Sequence, residues 1–190
     1  MCIVHAQGNM RLGYEMNIIL GGISIVESGN NDMAVGDRHH ADGPALGRFQ
    51  IHQSAWTDID KMRRAKCLPV HPYHDAHKAS VARAYAHTLI DAIIEQFVKS
   101  HSAKPSPSLI YACYSLGPSI VPKIRNMAGL KIVGTGEYSL IVCNNMEATL
   151  WGIGYTTSLS RRKAKQADRY EKMVLAHYIS MRDLGIPLIQ

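Results

Sequence analysis

The sequence lacks the cysteine patterns of a zinc finger or a disulfide scaffold. Its four cysteines, Cys2, Cys67, Cys113 and Cys143, are widely scattered, without a CxxC pair or a cysteine–histidine pair at zinc-ligand spacing. A chain of 190 residues can bury roughly 70% of its unfolded surface, so it does not need disulfides to fold. We therefore expect reduced thiols that are mostly buried.

Long apolar runs and strong compositional bias are absent as well. No stretch approaches the ~20 uninterrupted apolar residues of a membrane-spanning helix. A composition of 46% hydrophobic and 19% charged residues argues against intrinsic disorder. The first fifteen residues do not have the pattern of a signal peptide. The composition predicts one domain over residues 1–190 without a membrane span.

The sequence has a surplus of positive charge. Lys and Arg number 21 against 15 Asp and Glu, which gives a net charge of +6 and favours contact with a polyanion. Residues 161–165 contain four of the basic residues, and such a run is usually a solvated helix face. A basic module that binds a glycan or nucleic acid without catalysis is an alternative. Because basic and aromatic residues do not alternate there, we expect no nucleic-acid partner.

A predicted first helix, about residues 14–27, ends in a carboxylate. Helical spacing places four residues on one face: Met16, Leu20, Ile23 and Glu27. Gly29 follows as a stop signal. Burial and the negative end of the helix dipole would both raise the pKa of Glu27, and a glutamate protonated near neutrality can act as a general acid. The alternative is a glutamate that points to solvent from a fraying helix end.

The segment after this helix is predicted to be an irregular loop leading to a short β-hairpin, since glycines and a proline surround the alternating Phe49 and Ile51. It contains Asp32, Asp37 and Asp42. A second carboxylate for glycoside hydrolysis is expected here, although most loop aspartates form turns.

The rest of the chain is predicted to be mainly helical, so the fold class is mainly α with some β. Asp75 is a plausible N-cap for a long core helix, and residues 109–116 form a short apolar helix that ends at Gly117. Residues 129–155 contain β-prone runs and predict a β-rich insertion. A last helix, about residues 160–184, carries an apolar face: Ala167, Tyr170, Val174, His177 and Met181.

Four short motifs follow one another in a recognisable order. They are Glu27-Ser28, Gly47-x-x-Gln50-Ile51, Tyr114-x-x-Gly117-Pro118 and Tyr170-x-x-x-Val174. The chain resembles the soluble lytic transglycosylase and goose-type lysozyme branch of the lysozyme-like superfamily over about residues 25–178. The resemblance implies a lysozyme-like fold, and an enzyme that cleaves the β-1,4 bond between N-acetylmuramic acid and N-acetylglucosamine in peptidoglycan.

The resemblance also implies roles for individual residues. Glu27 matches the glutamate that protonates the glycosidic oxygen. Gln50, Ile51 and Tyr114 match residues that line the glycan cleft. Ser115 stands where relatives have an asparagine, and so keeps a hydroxyl but loses the amide. Tyr170 matches a tyrosine that faces the cleft in relatives; a core aromatic on an amphipathic helix is the alternative.

Two reaction outcomes remain open. A lytic transglycosylase needs one carboxylate, because the 6-hydroxyl of the muramic acid attacks the anomeric carbon, whereas an inverting lysozyme needs a second carboxylate to activate water. Gly36-Asp37-Arg38 resembles a goose-type motif whose aspartate positions that water, but His52 stands where those enzymes have a further aspartate. We expect a lytic transglycosylase, with a hydrolase that uses Asp37 as the alternative.

Neither a metal nor an organic cofactor is expected. His39, His40 and His52 lie near the predicted cleft, but neighbouring histidines on an extended chain point in different directions and no cysteine or HExxH pair completes a ligand set. The expected partner is the glycan strand of peptidoglycan, which is anionic. The expected location is the cell wall, reached through the periplasm, by secretion or by phage delivery.

Overall fold

The computed structural model is mainly helical. It describes residues 9–41, 43–124, 126, 129–134 and 140–183. In chain order its elements are α1 (Asn9–Ser28), β1 (Val35–Gly36), β2 (Ala45–Leu46), α2 (Gln53–Ala65), a 3-10 helix (Tyr73–His77), α3 (Ala79–His101), β3 (Lys104–Pro105), α4 (Pro107–Leu116), a second 3-10 helix (Pro118–Ile120), α5 (Val121–Ile124), β4 (Leu130–Val133), β5 (Leu140–Cys143), α6 (Met146–Gly152) and α7 (Thr157–Asp183). The mainly α prediction is confirmed.

Helix α3 forms the centre of the core. It packs against α1, α2 and α4. Helical spacing predicts one apolar face on this helix, and every member of that face is buried: Ala82, Ala86, Leu89, Ile93 and Phe97. Helix α7 packs across α1, α4 and α6. The approach of α7 to α1 depends on Gly22, where a Cβ atom would lie 2.8 Å from Cε2 of Tyr170. The two long helices therefore meet where α1 has no side chain.

The end of α1 agrees with the prediction. Met16, Leu20 and Ile23 are buried. Gly29 has a φ of +65°, and its N–H donates to the Ile25 carbonyl at 2.9 Å. A left-handed residue after the last turn satisfies a helix carbonyl that would otherwise lack a partner. The helix therefore ends just after Glu27, and the chain turns back towards the core.

The predicted hairpin is present but short. Strands β1 and β2 pair antiparallel, with Val35 opposite Leu46 and Gly36 opposite Ala45. An isolated bridge then joins Leu46 to Ile51. These pairings hold residues 35–36 and 45–51 close together.

Helix α2 was not predicted, because its buried face is only partly apolar. The face consists of Trp56, Ile59 and Arg63. Trp56 stacks on Tyr85 of α3 with ring centroids 3.6 Å apart, and the Arg63 guanidinium lies 4.7 Å from the same ring. Packing on an aromatic ring allows a buried cation where helical periodicity would require an apolar residue.

The β-rich insertion at residues 129–155 is confirmed only in its first half. Strands β4 and β5 pair antiparallel, and β5 also pairs parallel with β3, which was not predicted. The run from residue 148 to residue 155, predicted as β, lies largely in α6. The Asn145 side chain accepts a hydrogen bond from the Ala148 N–H at 3.0 Å. This N-cap, together with burial of Leu150, outweighs the β propensity of the run.

The prediction of Asp75 as an N-cap was wrong. Lys78 occupies the N-cap position of α3, and Asp75 lies in the preceding 3-10 helix. Its carboxylate forms an ion pair with Lys78, whose Nζ lies 2.8 Å from Oδ1, and this lowers the pKa of Asp75. On α7, Ala167, Tyr170 and Val174 are buried as predicted, while the side chains of His177 and Met181 lie outside the described residues. None of the described helices has the length and apolar character to cross a membrane.

Candidate active site

A cavity of about 550 Å³ lies where the end of α1, the hairpin, the end of α4 and the start of α7 meet. Six of the seven predicted site residues line it: Glu27, Asp37, Gln50, Ile51, Tyr114 and Ser115. These residues are scattered over almost ninety positions of sequence, so only the tertiary fold brings them together. Tyr170 is the exception.

Glu27 lies at the inner wall of the cavity. Its side chain is partly exposed, but Oε1 is fully buried and has no hydrogen-bond partner among the described residues. Burial raises the pKa of Glu27 above its ordinary value, and the Tyr111 hydroxyl, Lys163 and His52 oppose the shift. A carboxyl group with one buried oxygen and a raised pKa can hold its proton at the pH where a general acid must donate it.

The Tyr111 hydroxyl of α4 is also buried without a hydrogen-bond partner among the described residues. It is close enough to Glu27 to lower the pKa of the carboxyl group, yet it does not reach hydrogen-bond geometry with it. Burial and the neighbouring carboxylate raise the pKa of Tyr111 far above its ordinary value, so this hydroxyl stays protonated. Two buried polar groups without partners cost free energy.

The turn from Gly47 to Ile51 carries Gln50 into the cavity. Gly47 has a φ of +71°, and a Cβ there would collide with the Ala76 carbonyl, which explains the glycine of the motif. Gln50 is also left-handed, with a φ of +49°. Its Nε2 donates to the Gly47 carbonyl at 2.8 Å. A non-glycine residue held in this region is strained, and strain of this kind is common where a side chain must be aimed at a ligand.

Helix α4 fixes the same turn from the other side. The Tyr114 hydroxyl donates to the Phe49 carbonyl at 2.6 Å, and both residues are buried. Ser115 lines the cavity, but its hydroxyl donates to the Ala112 carbonyl of its own helix at 3.3 Å. Tyr114 therefore positions the Gln50 turn, while the Ser115 oxygen can only accept a hydrogen bond from a ligand.

An ion pair ties the turn to the end of α1. Arg48 donates from Nη2 to Asp32 Oδ2 at 2.7 Å and from Nε to Oδ1. The Arg48 guanidinium lowers the pKa of Asp32, so the pair stays charged. Ser28, directly after Glu27, donates from Oγ to the Arg48 carbonyl at 2.9 Å. Asp32 is thus held in an ion pair and is not among the described residues that line the cavity. Asp42 lies outside the described residues.

Tyr170 lies behind the cavity and not on its surface. It is fully buried, stacks on Tyr111 with ring centroids 5.2 Å apart, and donates from its hydroxyl to the Ile19 carbonyl at 3.2 Å. This placement favours the core aromatic over the cleft residue.

Asp37 also lines the cavity, from the connection between β1 and β2. Its side chain is 59% exposed, and Oδ2 lies 3.9 Å from Nε2 of His52. It has a φ of +45°, another left-handed non-glycine residue beside the cavity. The placement leaves both reaction outcomes open, since Asp37 reaches the same space as Glu27 from the solvent side.

Lys163 is a cavity residue that the sequence motifs do not include. Burial lowers the pKa of Lys163, and the nearby carboxylates of Glu27 and Asp37 oppose this shift. The basic run therefore does more than cover a solvated helix face, since Arg162 and Lys163 both line the cavity. A signal was present in the sequence, because Lys163 stands seven residues before Tyr170 and so falls on the apolar stripe of α7.

Comparison with protein-family models gives no match for this chain, and comparison with curated proteins gives none either.

Proposed function

We propose that this chain cleaves the β-1,4 bond between N-acetylmuramic acid and N-acetylglucosamine in peptidoglycan, with Glu27 as the general acid. The observation that carries the proposal is the partly buried Glu27, whose pKa is raised by burial, at the inner wall of a cavity of about 550 Å³. Support also comes from Gln50, Tyr114 and Ser115, which line the same cavity, since the lysozyme-like resemblance implies a glycan cleft at these three positions.

In the proposed mechanism Glu27 gives its proton to the glycosidic oxygen as the bond to the anomeric carbon breaks. In a lytic transglycosylase the 6-hydroxyl of the muramic acid then attacks that carbon and returns its proton to the Glu27 carboxylate, which leaves a 1,6-anhydro end. Lys163, with its positive charge near Glu27, would stabilise the carboxylate between the two proton transfers.

A hydrolase remains the second candidate, because Asp37 lines the same cavity. In that case Asp37 would position a water molecule for attack on the anomeric carbon. The two products differ by one water, so mass spectrometry of released muropeptides separates them. If the chain is a hydrolase, Asp37→Asn should suppress the hydrolysed product. If it is a lytic transglycosylase, the same substitution should leave the anhydro product unchanged.

The deciding experiment is digestion of purified sacculi by the wild type and by Glu27→Gln. We expect the substitution to lower the rate by about 10²–10⁴-fold, the usual contribution of a general acid. Glu95→Gln is the matched control, since Glu95 is an exposed glutamate of α3 that pairs with Lys66. Equal rates for Glu27→Gln and the control would refute the assignment, and a wild type that binds sacculi without releasing muropeptides would favour a binding module.

A further inference from the structure

The hairpin connection, which contributes Asp37 and His40 to the cavity lining, contains two successive turn hydrogen bonds. The His40 N–H donates to the Asp37 carbonyl at 3.0 Å, and the Gly43 N–H donates to the His40 carbonyl at 3.0 Å. The chain then returns through β2 to His52, directly before α2. Residues twelve and fifteen positions before His52 are thereby brought beside its imidazole.

One ligand atom from each of Asp37, His40 and His52 lies within 4.8 Å of the others. The His40 and His52 rings have centroids 4.3 Å apart and planes inclined at 38°. We propose that these three side chains form a binding site for a divalent transition-metal cation, with Zn²⁺ as the favoured ion, at the mouth of the Glu27 cavity. The sequence predicted no such site because the double turn that moves His40 towards His52 has no local signature.

His52 is oriented as a metal ligand would be. Its Nδ1 lies 3.1 Å from the Gly43 carbonyl. A carbonyl can only accept a hydrogen bond, so the proton of the neutral ring belongs on Nδ1 and the lone pair on Nε2. Nε2 is the nitrogen that faces Asp37. Metal-binding histidines usually donate their other N–H to a carbonyl or carboxylate in this way.

The spacing fits a small cation after modest adjustment. Three atoms at most 4.8 Å apart admit a central ion within about 2.8 Å of each, and Zn–N and Zn–O bonds are ~2.0–2.1 Å long. Each side chain must therefore close by less than about 1 Å. Asp37 and His40 are exposed, so little packing resists that movement. Three protein ligands leave a fourth position for water or another ligand.

The donor set selects the kind of cation. Two imidazole nitrogens and one carboxylate oxygen suit Zn²⁺ and its neighbours in the first transition row, whereas Mg²⁺ and Ca²⁺ prefer sites made entirely of oxygen. His39, adjacent in sequence to His40, is not part of the cluster. It provides a matched control with the same chemistry in the same loop.

The test is calorimetric titration of Zn²⁺ into the Glu27→Gln protein, with Co²⁺ absorption spectra as a second readout. The Glu27→Gln background separates cation binding from catalysis, so failure of the proposed enzymatic function would not affect the result. We expect one ion per chain, and no binding of Mg²⁺ at the same concentration. Asp37→Asn and His40→Ala should each weaken Zn²⁺ binding at least about tenfold. A loss of this size is usual even when the substituted residue only hydrogen-bonds to a metal ligand.

His39→Ala and Cys67→Ser should bind Zn²⁺ as the parent protein does. The Cys67→Ser control is needed because Cys67 is an exposed thiol that could bind the ion by itself. The proposal is overturned if sub-millimolar Zn²⁺ does not bind, if Cys67→Ser abolishes binding, or if His39→Ala weakens it as much as His40→Ala. A His52 variant is not used, because it would also remove the contact with the Gly43 carbonyl and disturb the loop.

Discussion

Two buried tyrosines of α4 should respond in opposite ways to removal of their hydroxyl groups. Tyr111 is fully buried, and its hydroxyl has no hydrogen-bond partner among the described residues. Tyr114, three residues later, is 7% exposed and donates to the Phe49 carbonyl at 2.6 Å. Tyr111→Phe removes an unpaired polar group. Tyr114→Phe creates one, because the buried Phe49 carbonyl loses its hydrogen-bond donor.

A buried polar group without a partner costs about 1–3 kcal/mol. Tyr114→Phe should therefore lower the free energy of unfolding by about 1–3 kcal/mol, which for a chain of this size corresponds to roughly 2–4 °C in Tm per kcal/mol. Tyr111→Phe should leave the free energy of unfolding unchanged or raise it by up to a similar amount. The two variants delete the same atom from the same residue type on one helix, so each serves as the control for the other.

Urea unfolding of both variants measures these free energies, with equal m-values as the check that the unfolded states are comparable. If Tyr111→Phe destabilises the protein as much as Tyr114→Phe, the Tyr111 hydroxyl is hydrogen-bonded in solution, and the reasoning about an unpaired hydroxyl facing Glu27 is refuted.

Three further predictions follow from the cavity and its turn. Folding raises the pKa of Glu27, so the native state binds this proton more tightly than the unfolded state does. The free energy of unfolding therefore falls as the pH rises from the ordinary pKa of 4.5 through the raised pKa of the native state. Glu27→Gln should therefore raise Tm at neutral pH, with the gain vanishing in acid. Lys163→Met removes a charge that lowers the pKa of Glu27, so the alkaline limb of the activity profile should move upward. Gly47→Ala should destabilise by more than about 1 kcal/mol, and by more than Gly43→Ala in the same urea titration, because both glycines are left-handed but only Gly47 lies against a backbone carbonyl.

Each of these predictions has a result that would contradict it. A Glu27→Gln protein with the same Tm difference at neutral and acidic pH would show that folding does not perturb the carboxyl group. An unchanged pH profile for Lys163→Met would show that its ammonium does not act on Glu27. Equal losses for Gly47→Ala and Gly43→Ala would assign the whole effect to backbone conformation and none to the Ala76 carbonyl.

The parts of the fold that could be predicted from sequence are those that local spacing determines. The buried face of α3 and the end of α1 at Gly29 follow from helical periodicity and the conformational freedom of glycine. Helix α2 could not be recognised, because tertiary contacts bury its cation, and α6 was missed because an N-cap and the burial of one leucine outweigh the β propensity of its run. Arg63 is buried in α2 because Tyr85 lies beneath its guanidinium and the Pro69 and Ala84 carbonyls accept its hydrogen bonds. Helix α6 depends on the Asn145 cap and on burial of Leu150.

The candidate site divides in a similar way. Glu27, Gln50 and Tyr114 belong to short motifs, so a resemblance could point to them. Lys163 and His40 belong to no such motif and join the cavity only when α7 and the hairpin connection meet α1. The sequence indicates the burial of Lys163 by its position in line with the apolar face of α7. One cation on an apolar face is a better indication of a site residue than the basic run around it.

Glu27 and Lys163 together suggest how the cavity holds its protons. Burial favours the neutral form of each group, while the opposite charge of the other favours the ionised form. Their protonation is therefore coupled, and a ligand that excludes more water strengthens both influences at once. In the proposed mechanism, a glycan strand that fills the cavity would add desolvation, which favours the neutral acid before cleavage, and would also strengthen the attraction of Lys163 for the carboxylate that cleavage leaves. After proton transfer, the Glu27 carboxylate has a cationic neighbour already in place, so the same pair suits the acid before cleavage and the base that follows.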